Sequence, residues 1–147
     1  MIDIINPKLA GVVEWKAWQK GRLIEHWRED NTVVDASRTT LIRILGGDGD
    51  AVISNFGVGT SDQATDVTQT SLENQILRPL MLGLTETTDT GATFTFTLEN
   101  EDFVGLQINE LGLFTRDDVL FSRKVRSTPL LKAADMHIVG NWMINYQ

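Results

Sequence analysis

Residues 92–100, ATFTFTLEN, alternate strictly: Phe94, Phe96 and Leu98 fall on one side and Thr93, Thr95 and Thr97 on the other. A period of two, with β-branched residues on the polar side, is the signature of a strand in a sheet that buries one face. The triplet Asp89-Thr90-Gly91 just before it supplies a hairpin turn. Reading outward, residues 136–146, MHIVGNWMINY, put Met136, Ile138, Trp142, Ile144 and Tyr146 on one face with Gly140 among them, as a long final strand would. Near the other end, GVVEWKAWQ and RLIEHWRED are two extended segments meeting at Lys20-Gly21, a tight-turn pair, and predict an N-terminal hairpin. Val13, Trp15 and Ala17 share a face of its first segment. In its second, Glu25 interrupts Leu23 and Trp27.

Between these ends, AVISNFGV (51–58) reads as a strand closed by Gly57 and Gly59, residues 60–70 as a solvated loop, and residues 76–87 as a strand bent or edged by Pro79. One helix is expected: Asp35-Ala36-Ser37 offers capping side chains, Leu41, Ile42 and Leu45 keep helical spacing, and Gly46-Gly47 ends the run. SLENQIL (71–77), with Ser71 as cap, offers a further turn or two. The sum is mainly β: a single antiparallel β-sandwich domain over residues 11–147, with an N-terminal hairpin and one short inserted amphipathic helix, preceded by an arm at residues 1–10.

A chain of 147 residues that is 41% hydrophobic suits one core. Thirteen basic against twenty acidic residues leave a net charge of -7, the wrong sign for neutralising phosphates, so nucleic acid is not an expected partner. With no cysteine, disulfides and thiolate metal sites are excluded. The start, MIDIINPKLAGVV, has neither the basic flank nor the apolar core of a signal peptide, and no run of eighteen apolar residues occurs. A protein made in the cytosol, without a membrane partner, is expected.

Catalytic and cofactor patterns are weak. His26 and His137 have no companion at metal-ligand spacing, GVGTSD lacks the third glycine of a dinucleotide fingerprint and the lysine of a phosphate loop, and no serine sits in a G-x-S-x-G context. Asp48 and Asp50 in GGDGDA could share a hard cation, but the remaining ligands of a calcium loop are missing, and a helix-terminating loop is the plainer reading. No catalytic residue, cofactor or metal is therefore expected. Trp15, Trp18 and Trp27 are candidates for packing, an interface or sugar stacking.

The most informative segment is QINELGLFTRDDVLFSRKV (107–125), a hairpin turning at Arg116-Asp117-Asp118. Both faces of its first strand are apolar, so Glu110 is expected to be at least partly buried and to need a cation. Counting back from the turn places Arg123 nearly opposite it, and Arg78 is a second candidate. A structural ion pair outweighs catalysis here, because no acid, base or nucleophile accompanies Glu110.

Taken in order, the hairpin W..G.LIE.W, NTVVDASRTTLIRIL, FGVGTS, TSLENQILRPL, INELGLFTRDDVLFSRKV and MHIVGNWMINY resemble a group of small structural proteins of tailed bacteriophages, over residues 11–147. Those proteins show a "vGtG" turn, a "t.L..ei.R" segment, an "i.E.GLf...g.Lf.R" hairpin and a final "i.w.i.f" strand. The resemblance implies a non-enzymatic virion component of the tail, neck (collar) or head-decoration type, assembled in the host cytoplasm. It also implies contacts with other virion proteins and with copies of itself in a ring or trimer. Asp118 stands where glycine is usual, which implies a looser hairpin tip. A carbohydrate- or host-surface-binding module of a tail adhesion apparatus is the alternative.

Overall fold

The computed structural model describes residues 8–147, apart from the side chains of residues 77–79. Its elements are β1 (Leu9–Gln19), β2 (Arg22–Val33), α1 (Ser37–Leu45), a 3-10 turn (Gly49–Ala51), β3 (Ile53–Gly59), β4 (Gln75–Met81), β5 (Leu84–Thr87), β6 (Gly91–Leu98), β7 (Gln107–Thr115), β8 (Leu120–Leu131) and β9 (Met136–Tyr146). The fold is mainly β and antiparallel, with one α-helix. The expected arm falls, for residues 1–7, outside the described residues; Leu9 and Ala10 belong to β1, opposite Tyr146 and Asn145.

Two separate stacked sheets do not form. The strands make one continuous sheet in the order β4-β3-β7-β8-β2-β1-β9-β6-β5, curled into a half-barrel. Two crossings produce this. β2 lies along β1 for most of its length but joins β8 through only Thr32↔Arg123 and Val33↔Ser122. At the far lip, β4 and β5 are the two edges of the sheet yet are consecutive in the chain. Between them, Leu82 N–H donates to Ser54 O and Gly83 N–H to Thr95 O, both at 2.9 Å, so this short link bonds to both halves. Strands that bend from one half to the other make corners where a sandwich would have gaps.

The alternation of β6 and β9 points as expected. Phe94, Phe96, Leu98, Ile138, Trp142 and Ile144 are buried with Val13, Trp15 and Ala17 of β1, and across the half-barrel they meet Phe56, Val58, Leu111 and Leu113. Burying each large side chain contributes roughly 1.5–3 kcal/mol. The two halves touch ring to ring: Phe56 of β3 and Phe96 of β6 have centroids 4.9 Å apart. Gly140 permits this, because a Cβ there would lie 2.0 Å from the Phe96 ring.

Four local expectations change. Of the helical apolar residues only Leu41 packs toward the core; Ser37 and Thr40 are buried instead, while Ile42 (68% exposed) and Leu45 (83%) face outward. None of the offered capping side chains is used: Ala36 is the N-cap and makes no side-chain hydrogen bond. SLENQIL forms no helix, since the N–H groups of Glu73 and Asn74 bond to the Glu110 carboxylate and Gln75 already starts β4. The hairpin tip is tied rather than loosened. Asp118 takes the left-handed φ of 65°, Thr115 N–H donates to Val119 O, and Val119 N–H donates back to Thr115 Oγ1.

Gly140→Val should push the Phe96 ring off Phe56 and lower unfolding free energy by roughly 1–3 kcal/mol, as overpacking does. Urea denaturation checks this; an unchanged midpoint would contradict the packing described.

Candidate functional site

Glu110 and Arg123 sit at the centre of the β7–β8 hairpin, both with fully buried side chains. Arg123 lies opposite Gly112, and Glu110 opposite Val125, because a register shift at Leu113/Phe114 moves the pairing by one residue from a simple count. The two side chains therefore meet diagonally. Arg123 Nε–H donates to Glu110 Oε1 at 3.1 Å, and three backbone donors complete the carboxylate: Glu73 N–H to Oε1 at 2.9 Å, Asn74 N–H to Oε2 at 2.8 Å and Ser61 N–H to Oε2 at 3.1 Å. A carboxylate accepts about four hydrogen bonds, so its capacity is filled. Gly59, paired with Glu110 across β3–β7, gives the room: a Cβ there would come within 2.5 Å of both Oε2 and Asn74 O.

Arg123 reaches further into the segment that read as a solvated loop. Its Nη1–H donates to Gln63 O at 2.9 Å and to Gln69 Oε1 at 3.3 Å. Gln69 Oε1 also accepts from Asp66 N–H, and Gln69 Nε2 donates to Glu73. Residues 60–74 are thus wrapped around one buried ion pair. With its four acceptor positions engaged and its side chain fully buried, the Glu110 carboxylate organises backbone. Arg78, the other cation considered, has a side chain outside the described residues.

Further polar hubs carry no sequence motif. Arg126 is nearly enclosed: its guanidinium lies 4.5 Å from the Trp15 ring centre and 5.5 Å from that of Trp27, and its Nη2 contacts both oxygens of Glu25 at 2.7 and 2.9 Å. Trp15 and Trp27 stack with centroids 5.6 Å apart, and Trp27 Nε1–H donates to Glu25. Asn31, with its amide nitrogen toward Ser122 Oγ, accepts from Val12 N–H at 3.1 Å and Trp142 Nε1–H at 3.2 Å, tying β1, β8 and β9 to the end of β2. Lys132 is fully buried and donates to the carbonyls of Glu99, Asn100 and Ala133. Burial pushes its ammonium down from the usual value, against the pull of surrounding carboxylates led by Asp102.

GGDGDA is held by a cation of the chain itself. Arg43 Nε–H donates to Asp48 at 2.9 Å and Nη2–H to Asp117 at 2.6 Å, which joins α1 to the tip of the β7–β8 hairpin. Those hydrogen bonds keep both carboxyls below the usual 3.8, and the N–H of Thr68 does the same for Asp66. Asp48 also accepts from Asp50 N–H.

Of the three tryptophans, Trp15 is core and Trp27 is covered by Trp15, Lys124 and Arg126. Trp18 is half-buried beside His137, centroids 6.3 Å apart. His137 lies 3.2 Å from Glu99, and His26 3.6 Å from Glu14. Among the described residues no three His, Cys, Asp or Glu side chains converge as a metal-binding group, and no helix is long and apolar enough to cross a membrane. Compared with protein-family models, with curated proteins and with solved structures, the chain matches none.

Glu110→Gln should cost about 3–5 kcal/mol, the typical effect of leaving a buried charge without its partner. A Glu110→Gln/Arg123→Met double variant should recover little, because the N–H groups of Ser61, Glu73 and Asn74 still lack the carboxylate. Denaturant unfolding measures both, and near-complete rescue in the double variant would show that the ion pair alone matters.

Acidification gives a second check. Lowered folded values mean that Asp48, Asp66 and Asp117 contribute stability that is complete above about 3.8 and lost as pH falls through those values. The thermal midpoint should drop below about pH 4, and Arg43→Met should flatten that drop; an identical slope in the variant would contradict it.

Proposed function

We propose that the protein is a structural component of a tailed-bacteriophage particle, occupying repeated positions in the tail, neck (collar) or head decoration through contacts with copies of itself and with other virion proteins, and performing no chemistry. The observation that carries this reading is the reversed polarity of α1, which buries Ser37 and Thr40 while Ile42 and Leu45 face outward. Contiguous apolar side chains left on a surface mark protein contact sites. Met81 and Leu84, at the lip where β4 passes into β5, are exposed as well. The resemblance of the ordered motifs to those of phage structural proteins supplies the context. The buried charges of the Glu110 and Lys132 networks hold loops and that of Arg126 holds β8 to β2, which suits a rigid building block.

A host-surface or carbohydrate-binding role rests on Trp18, the tryptophan half-buried beside His137.

The decisive measurement is mass spectrometry of purified particles from a lysate in which this chain is expressed. The chain should be present in multiple copies per particle, and Ile42→Lys/Leu45→Lys, at two exposed positions, should fold normally yet be lost from particles. Absence of the wild-type chain from particles would refute the proposal. Saturable glycan quenching of tryptophan fluorescence, abolished by Trp18→Ala, would favour the adhesion role instead.

A further inference from the structure

The outward side of α1 changes character along its length. Arg38, Ile42 and Leu45 follow one another at helical spacing, so they form a single stripe, and all three are exposed. A cation thus stands at the start of the stripe, with apolar side chains at its middle and end. Among the described residues the Arg38 guanidinium has no partner; its one bond is through the backbone, N–H to Asp35 O. Lys8 joins Arg38 in lining the cleft beside the first turn, where Asp35 is the one acidic residue, so this end is positive.

Beyond the last turn the sign reverses. The turn after Gly46-Gly47 meets the tip of the β7–β8 hairpin, where Asp117 N–H donates to Asp50 O, and this brings Asp48, Asp50, Asp117 and Asp118 to one exposed place. Arg43 pairs with Asp48 and Asp117, and Arg116 Nη1 lies 4.0 Å from where a Cβ on Gly49 would stand. Four carboxylates against these two guanidiniums leave the end negative. The carboxylates of Asp50 and Asp118 have no partner among the described residues. The free carbonyls of a helix C-terminus add to the negative potential. There is also room, since a Cβ on Gly47 would meet nothing within 4 Å.

A surface that is positive at one end, apolar in the middle and negative at the other is complementary to itself when turned end for end. We infer that α1 packs antiparallel on α1 of a second copy of this chain, about a two-fold axis at Ile42, with each Arg38 beside the partner's Asp50. This rests on the reading, proposed above, that the outward side of α1 is a contact, and it names the occupant. With Ile42 on the axis, Arg38 falls opposite position 46 of the other helix, where Gly46 and Gly47 present no side chain against it. At about 1.5 Å per residue each lies about 6 Å from the axis, and the arginine stem carries its charge onward to the acidic turn. The two copies of Ile42 and Leu45 cover one another between the charged ends. Such a contact is isologous, the same patch used twice, so it closes at two copies. Nine helical residues a side are few beside the roughly 20–30 of a standard interface, so the dimer depends on concentration.

Sedimentation equilibrium at low salt tests it on four full-length chains: wild type, Arg38→Glu, Asp50→Arg and Ile42→Lys. All three positions are exposed, so the variants should keep the wild-type thermal midpoint. The wild type should pass from monomer to dimer as concentration rises, and each variant should weaken the dimer by roughly tenfold or more. An equimolar mixture of Arg38→Glu with Asp50→Arg should restore it, because each reversed charge then meets an opposite one across the axis. A dimer indifferent to both charge reversals, or a mixture no stronger than its components, overturns the antiparallel pairing while leaving the assembly role standing. Growth beyond the dimer that Ile42→Lys abolishes overturns the two-fold axis. A wild-type chain that stays monomeric overturns the contact between copies, and the particle composition measured above then judges the assembly role separately.

Discussion

The constraint on which the rest of the molecule depends is a carboxylate with no access to water. Burying the Glu110 charge among apolar strands costs several kcal/mol unless its oxygens are supplied with donors. The chain supplies four of them, one from Arg123 and three from the backbone of residues 61, 73 and 74. Satisfying that one group dictates the path of residues 60–74, the point at which β4 begins, and the glycine at 59. Relative to an apolar replacement of similar volume, a buried ion pair adds little or nothing to stability. Its larger effect is to make one arrangement of the loop far better than the others.

The same device recurs wherever the curled sheet lacks backbone pairing. β2 and β8 share two rungs and then diverge, and across the divergence Arg126 meets Glu25 while Lys124 approaches Glu29 and donates to Asp30 O. Asn31 gathers three strands at the point of divergence. Lys132 spends its ammonium hydrogens on the carbonyls of Glu99 and Asn100, at the start of the excursion between β6 and β7, and of Ala133, just after β8. Side chains thus take over the role of the ladder at the seams of the half-barrel, and the aromatic core, meeting at Phe56 and Phe96, closes its concave side.

With polar groups used inside in this way, apolar ones are left outside. α1 is short, and its buried side faces hydroxyl-bearing residues inward, so among the described residues Ile42, Ile44 and Leu45 stay exposed. This surface lies beside the end of the sheet where both described chain ends meet, at Lys8 and Gln147. A rigid frame with an apolar surface beside the meeting point of Lys8 and Gln147 supports the assembly role proposed above.

Much of this was legible in the amino-acid order. Strict alternation in β6 and β9, the Lys20-Gly21 turn and the two-faced apolar character of β7 determine strands, hairpins and a buried Glu110 in need of a cation, Arg123 or Arg78, because side-chain periodicity and turn geometry are local properties. The register shift that moves Arg123 opposite Gly112, the helix inverted over its own apolar residues, the capture of Glu73 and Asn74 by Glu110 in place of a helical turn, and the joining of two expected sheets into one were decided only by tertiary structure. Each depends on which distant group competes for the same donor or the same volume. An N–H at position 73 serves a helix or a carboxylate equally well until the fold brings that carboxylate within 2.9 Å.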